Sequence, residues 1–230
     1  MKYDIFLVDV DDTILDFHRA SKEALEKACE ACGIVWEERF ESAFRQFNGS
    51  LWASLERKEI TREYLMNNRF ILFFKELNMP SVSGEEFNKV FLNHLASTPI
   101  FFEGATEFLK TLRKQGRVYF VTNGTAWIQK SRFDKCGLWG YAEETFVSDT
   151  IGHDKPSPLY TQYVIDRIDG FKKERAVWIG DSLSSDMQAA KDAGIDSVWF
   201  KGKGNLAKNG VIPTYTAQSY AEVLKVLGIT

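Results

Sequence analysis

The sequence is poor in the residues that usually build disulfide, zinc or thiol sites. It has three cysteines and three histidines in 230 residues. Cys29 and Cys32 form a single C-x-x-C within a helical pattern, and there is neither a second C-x-x-C nor an H-x-x-x-H. A zinc site needs more ligands than this, and redox chemistry is the other functional interpretation of a C-x-x-C. We therefore interpret the pair as two small packing residues on one helix.

Long apolar runs and charge excess are also missing. No run approaches the roughly 20 apolar residues of a membrane span. The apolar run at 3–8 ends at Asp9 and is too short for a signal peptide. A net charge of −3 without blocks of like charge gives no general attraction for nucleic acid. We expect a soluble, cytoplasmic protein that binds neither membranes nor nucleic acid polymers.

What the sequence does contain is a core-forming composition and an alternating pattern. Apolar residues make up 44% and charged residues 27%, which excludes a disordered chain. Short buried strands are predicted at 3–8, 117–121, 145–148, 176–179 and 197–200, with helices at 104–115, 126–136, 156–168 and 183–193. Such alternation predicts an α/β fold, a Rossmann-like parallel sheet with helices on both faces.

The segment 17–98 has a different pattern and contains no convincing strand. Amphipathic helices are predicted at 21–32, 62–77 and, after a capping box opened by Ser83, at 83–95. The sequence therefore predicts an α/β core at 1–16 and 99–230, interrupted by an all-helical insertion at 17–98.

Polar residues follow the predicted core strands where the strands end, the edge at which parallel sheets place their sites. They form four segments: Asp9-Val10-Asp11-Asp12-Thr13, Thr122-Asn123-Gly124, Lys155-Pro156, and Gly180-Asp181-Ser182 followed by Asp186.

Converging carboxylates repel one another unless a cation joins them, and all-oxygen ligands favour Mg²⁺ beside a phosphate. A lysine can hold a phosphoryl oxygen, a carboxylate can attack phosphorus, and a nearby carboxyl can transfer protons. The set fits a two-step phosphoryl transfer.

These four segments, in this order, resemble the haloacid dehalogenase superfamily, and the insertion point at 17–98 resembles its small helical cap. The resemblance implies that Asp9 is the nucleophile and a Mg²⁺ ligand. It implies that Asp11 is the general acid/base, with its backbone carbonyl also on Mg²⁺. Asp181 would be the third Mg²⁺ ligand.

The same resemblance assigns the remaining polar residues. Thr122 would donate to a phosphate oxygen, with Asn123 beside it. Lys155 would stabilise the charge of the nucleophile and the phosphoryl group, and Asp186 would lie near the metal and the lysine. Asp12 stands where many relatives have glycine, which removes no catalytic role.

Asp11 separates the branches of the superfamily. Dehalogenases use the same nucleophile but lack the acid two residues later, because halide leaves unprotonated. The presence of Asp11 favours a phosphatase over a 2-haloacid dehalogenase. A non-catalytic binding protein on this fold is disfavoured by the complete set of polar residues.

The insertion carries the substrate prediction. Segments around Asn48 and Trp52 resemble the bacterial pyrimidine 5′-nucleotidase branch, as do Gln129 and Arg132 after Thr122-Asn123-Gly124. Trp52 could stack on a base and Asn48 bond its edge, or both could simply pack the insertion.

The alternative substrate is another small phosphorylated metabolite: phosphoglycolate, a sugar phosphate, flavin mononucleotide or pyrophosphate. The loop at 202–204 is either a substrate contact or an ordinary surface loop. We expect a monomer or homodimer.

Overall fold

The computed structural model describes residues 2–79, 82–200 and 210–229. The chain divides into two compact units, which we call the sheet unit (Met1–Phe17 with Pro99–Thr230) and the helical unit (His18–Thr98). The loop at 202–204 lies outside the described residues. Within the described ranges, no helix combines the length and apolar character needed to cross a membrane.

The helical unit is built from α1 (Phe17–Ala31), α2 (Glu38–Glu56), α3 (Arg62–Glu76) and α4 (Gly84–Ser97). Side-chain oxygens of Thr61 and Ser83 cap α3 and α4 by accepting from backbone N–H groups three residues later. The predicted all-helical insertion is confirmed, but α2 was not among the predicted helices. The buried Asn48 interrupts the apolar face of α2, which hides its periodicity.

Phenylalanine rings fill the helical unit. Phe70 of α3 stacks on Phe44 of α2 with ring centroids 4.8 Å apart. It also contacts Phe87 and Phe91 of α4 at 4.7 and 5.1 Å. Aromatic pairs at these distances add to the free energy gained by burying the rings. The interior of this unit therefore depends on ring packing.

The sheet unit contains six parallel strands in the order β3-β2-β1-β4-β5-β6. The strands are β1 (Ile5–Val8), β2 (Arg117–Thr122), β3 (Glu144–Val147), β4 (Ala176–Gly180), β5 (Asp196–Phe200) and β6 (Tyr215–Ala217). The predicted parallel α/β sheet is confirmed. Strand β6 was not predicted, because its three residues are too few to show an alternation of apolar and polar side chains.

Helices cover both faces of this sheet, because alternate residues of a strand point to opposite sides. Phe6 and Val8 of β1 belong to one apolar cluster, and Ile5 and Leu7 belong to the other. Helices α5 (Ala105–Gln115), α6 (Ala126–Cys136) and α10 (Tyr220–Val226) pack in the first cluster, and α8 (Pro158–Ile165) and α9 (Gln188–Ala193) in the second. A short helix, α7 (Ser148–Ile151), follows β3.

The helix predicted at 183–193 is two elements. Leu183–Met187 forms a π-helical turn, and α9 starts only at Gln188. The N–H of Met187 donates to the carbonyl of Ser182, five residues back, which widens the turn. Sequence periodicity cannot show such a local widening.

Candidate active site

Three predicted site residues lie at the carboxyl ends of neighbouring strands. Asp9 follows β1, Thr122 is the last residue of β2, and Asp181 follows β4. Strand β1 pairs with β2 on one side and with β4 on the other, so the order of successive strands reverses at β1. Open parallel sheets bind their ligands at such a switch point.

Lys155 joins the carboxylates at this edge. Its Nζ donates to Oδ1 of Asp9 at 2.6 Å, to Oδ1 of Asp186 at 2.7 Å and to the carbonyl of Val121 at 3.0 Å. These contacts use all three ammonium hydrogens, and the side chain of Lys155 is 2% exposed. Burial alone lowers the pKa of Lys155, but the carboxylates of Asp186 and Asp9 outweigh it, so the pKa lies above the usual lysine value. Lys155 is therefore a fixed positive charge.

Asp186 reaches Lys155 from the π-helical turn. Its Oδ1 also accepts from the indole N–H of Trp178, and its Oδ2 accepts from the backbone N–H of Ser182, each at 3.2 Å. A Cβ on Gly180 would lie 2.4 Å from Cγ of Asp186, so glycine is needed for this approach. The indole donor on Trp178 was not recognised in the sequence, because tryptophan inside an apolar strand predicts only packing.

Asp9, Asp181 and Asp186 each offer a carboxylate oxygen within 4.8 Å of the others. Burial raises the pKa of Asp9 to about 8, with repulsion from Asp186 adding to the effect while Lys155 opposes it. Burial and the nearby carboxylates also raise the pKa of Asp181. A cation would relieve this repulsion, and a donor set of carboxylate oxygens suits Mg²⁺. The residues present therefore fit a Mg²⁺ site.

Asp11 lies against helix α6. Nη1 of Arg132 donates to its Oδ1 at 2.5 Å, and Nε2 of Gln129 donates to its Oδ2 at 2.8 Å. The same Nε2 also donates to the hydroxyl of Thr122 at 2.9 Å. From the sequence, Gln129 and Arg132 had only a resemblance to the nucleotidase branch and no predicted role. Their i, i+3 spacing on one helix was the available signal that they could act together.

Asn123 fixes the loop that carries Lys155. Its Nδ2 donates to the backbone carbonyl of Lys155 at 2.9 Å, and its Oδ1 accepts from the backbone N–H of Lys155 at 2.8 Å. These two bonds hold the main chain on both sides of the lysine. The predicted phosphate contact of Asn123 stays a prediction.

Asp12 adopts a left-handed backbone conformation with φ of 57°. Glycine takes this conformation without strain, and aspartate tolerates it better than most residues.

The remaining two predicted residues belong to the helical unit. Asn48 lies on α2 and is buried, and its Oδ1 has no hydrogen-bond partner within the described ranges. Trp52 lies one turn further along α2, with the guanidinium of Arg62 5.4 Å from its ring centroid. Their predicted contacts with a substrate stay predictions.

Comparison with known proteins agrees with this geometry. A sequence model for haloacid dehalogenase-like hydrolases matches residues 3–194. The chain is 32% identical to the HAD-hydrolase YfnB of Bacillus subtilis over 228 residues, covering 99% of this chain and 97% of YfnB. It is 31% identical to the pyrimidine 5′-nucleotidase PynA of Streptococcus pneumoniae over 228 residues, covering 99% and 96% of the two chains.

A further relative is the pyrimidine 5′-nucleotidase YjjG of Escherichia coli, 25% identical over 227 residues and covering 99% of each chain. Among solved structures, YfnB bound to magnesium matches all of both chains at 32% identity with a TM-score of 0.92. The resemblance inferred from the sequence motifs is confirmed.

Proposed function

The chain belongs to the haloacid dehalogenase-like hydrolase family, and on that premise we propose that it is a Mg²⁺-dependent phosphatase for pyrimidine nucleoside 5′-monophosphates. The observation that carries the proposal is the buried ammonium of Lys155, bound to Asp9 and Asp186 beside Asp181. A carboxylate beside a fixed positive charge supports the role of Asp9 as a nucleophile toward an anionic phosphoryl group.

The reaction proceeds in two steps. A carboxylate oxygen of Asp9 bonds to phosphorus while the bond to the leaving oxygen breaks, and Asp11 gives that oxygen a proton. This leaves an aspartyl-phosphate on Asp9. Asp11 then takes a proton from water, which attacks phosphorus and releases inorganic phosphate and free Asp9.

Other residues hold the phosphoryl oxygens and the nucleophile. Thr122 donates its hydroxyl hydrogen to the phosphoryl group, Lys155 balances its negative charge, and Asn123 and Asp186 keep Lys155 in place. Asp9, Asp181 and the backbone carbonyl of Asp11 would hold Mg²⁺. When bound, the ion supplies positive charge that lets these carboxylates lie together and offsets charge on the phosphoryl oxygens.

The substrate class is supported by relatives and by the helical unit. PynA and YjjG, both called pyrimidine 5′-nucleotidases, match nearly the whole chain. The buried Oδ1 of Asn48 has no hydrogen-bond partner among the described residues, and the N3–H of uracil or thymine is a donor that would suit it. Trp52 offers a ring for stacking on the base. The proposed ligand is thus a small phosphorylated metabolite.

A substrate panel tests this proposal. UMP, dUMP and dTMP are compared with phosphoglycolate, a sugar phosphate, flavin mononucleotide and pyrophosphate by kcat/KM at saturating Mg²⁺, with halide release from 2-chloropropionate as the dehalogenase assay. We expect the highest kcat/KM for the pyrimidine nucleotides and no halide release. A higher kcat/KM for any other phosphate would overturn the nucleotidase assignment, and halide release without phosphate release would overturn the phosphatase.

A further inference from the structure

Two residues of helix α6 lie beside the proposed acid/base without belonging to the proposed catalytic set. We propose that Gln129 and Arg132, which we call the Asp11 clamp, are positioning residues that orient the carboxyl group of Asp11 and the hydroxyl of Thr122 for the reaction. This inference rests on the proposed phosphatase function and extends it to residues that touch neither phosphorus nor metal.

The clamp holds Asp11 by both carboxylate oxygens. Arg132 binds Oδ1 at 2.5 Å and Gln129 binds Oδ2 at 2.8 Å. A carboxylate with one donor on each oxygen cannot rotate about its last bond without losing a hydrogen bond. A carboxylate has about four acceptor positions, so a free position remains that can carry the proton given to the leaving oxygen and later accept one from water. The clamp therefore fixes direction and leaves the acid/base able to work.

Gln129 links the acid/base to the phosphate-binding residue. Its amide nitrogen donates to Asp11 and to Thr122, and its carbonyl oxygen accepts from Nη1 of Arg132 at 3.1 Å. A Cβ on Gly124 would lie 2.3 Å from Nε2 of Gln129. Glycine at position 124 therefore makes room for this amide.

The hydroxyl of Thr122 is oriented by the same contacts. Its oxygen accepts from Gln129 at 2.9 Å and from the backbone N–H of Gly124 at 3.0 Å. A hydroxyl has two acceptor positions and one hydrogen to donate. With both acceptor positions occupied, the hydrogen is directed toward another acceptor, and an incoming phosphoryl oxygen is the one that the mechanism supplies.

A purely structural role does not explain the burial of Arg132, because some of its hydrogen-bond donors lack partners among the described residues. Its side chain is 1% exposed, and its Nε and Nη2 have no hydrogen-bond partner within the described part of the chain. Burying a guanidinium with unpaired donors costs free energy of folding. Within the described ranges its ion pair is with Asp11, whose side chain is 27% exposed. The position of Arg132 is explained by that contact.

A leaving-group series tests the clamp. We compare kcat/KM for 4-nitrophenyl, phenyl and benzyl phosphate, since kcat/KM reports the steps up to departure of the leaving group. Arg132→Met and Gln129→Leu should lower kcat/KM for benzyl phosphate by about 100-fold, because its alkoxide needs a well-placed proton. The loss for 4-nitrophenyl phosphate should be under about 5-fold, because nitrophenolate leaves without a proton.

Further variants separate positioning from folding. Asp11→Asn should show the same steepened dependence on leaving group, and Arg132→Lys should recover part of the loss. Gln129→Leu alone should also weaken inhibition by inorganic phosphate about tenfold, because Thr122 loses one orienting bond. Lys130→Met is the matched control, because Lys130 lies on the same helix and forms an ion pair with the exposed Asp134. It should leave the series unchanged.

The outcomes are distinguishable. If folded clamp variants lost kcat/KM equally for all three esters, or lost none, the proposed role of the clamp would be wrong. The proposed phosphatase function would still stand. If the unmodified protein hydrolysed none of the esters or nucleotides, the proposed function would fail and the clamp with it.

Discussion

The two units of the chain fill their interiors with different chemistry. The sheet unit buries charged residues that are paired: Lys155 lies between Asp9 and Asp186, and Arg132 binds the partly exposed Asp11. The helical unit buries phenylalanine rings, and its buried Arg69 bonds the amide of Asn88 and lies near the rings of Phe70 and Phe91. The interior of one unit is organised for a reaction, and that of the other for packing.

Substitutions in each unit test whether the two interiors have different roles. The largest effect that we expect is that of Asp9→Asn on activity. Removing the proposed nucleophile should lower Mg²⁺-dependent hydrolysis of 4-nitrophenyl phosphate by at least about 10⁴-fold. The fold should persist, because Lys155 keeps its bond to Asp186. Activity assays and thermal unfolding of the same preparation measure both. Full activity in this variant would refute the mechanism.

Lys155→Met should affect activity and stability together. It leaves the carboxylates of Asp9 and Asp186 buried without a cation, which should lower the free energy of unfolding by about 3–5 kcal/mol in metal-free buffer. Denaturant unfolding measures the change. The control Lys130→Met removes an exposed lysine whose pair with Asp134 contributes less than about 1 kcal/mol. Equal effects from the two substitutions would contradict the role given to Lys155.

Phe70→Ala should act on stability alone. It opens a cavity among Phe44, Phe87 and Phe91 and should lower the free energy of unfolding of the helical unit by about 3–5 kcal/mol. The neighbouring Ile71→Ala is the control, because Ile71 is 40% exposed and should cost less than about 1 kcal/mol. Unfolding followed by tryptophan fluorescence measures both. A tolerated Phe70→Ala would show that the ring cluster does not hold this unit together.

The smallest effect is expected for Arg69→Met. Burial lowers the pKa of Arg69 to about 9, so its charge costs free energy in the folded state. Methionine keeps the apolar stem and removes that cost, which should offset the lost bond to Asn88. The free energy of unfolding should change by less than about 1 kcal/mol. A loss as large as that of Lys155→Met would mean that the two buried cations are equivalent after all.

The two units also differ in how well their sequences predict them. Strand β1 is recognisable because four consecutive apolar residues are buried on both faces and end at Asp9. Helix α3 is recognisable from its amphipathic pattern, and α4 from the capping box opened by Ser83. Helix α2 is not, because its buried face includes Asn48. The hydrophobic pattern of the sequence therefore predicts a helix or strand only where the residues that become buried are also apolar.

The candidate site follows the same division. The sequence predicts that Asp9, Lys155 and Asp181 lie at one edge of the sheet, because each follows a predicted strand. It does not predict that Arg132 binds Asp11, since 121 positions separate them and the contact depends on how α6 packs. The bond from Trp178 to Asp186 was likewise missed, because it depends on the widened turn at Leu183–Met187.

The most direct test of the central claim is to locate the phosphoryl group during turnover. Asp11→Asn protein is mixed with Mg²⁺ and 4-nitrophenyl phosphate, quenched in acid and analysed by peptide mass spectrometry, because loss of the base should slow breakdown of the intermediate. We expect one phosphoryl group on the peptide that contains Asp9, and none when Asp9 is also replaced by Asn. A phosphoryl group on any other residue would contradict the proposed mechanism. So would turnover by the unmodified enzyme if no phosphate were bound to that protein or to the Asp11→Asn variant.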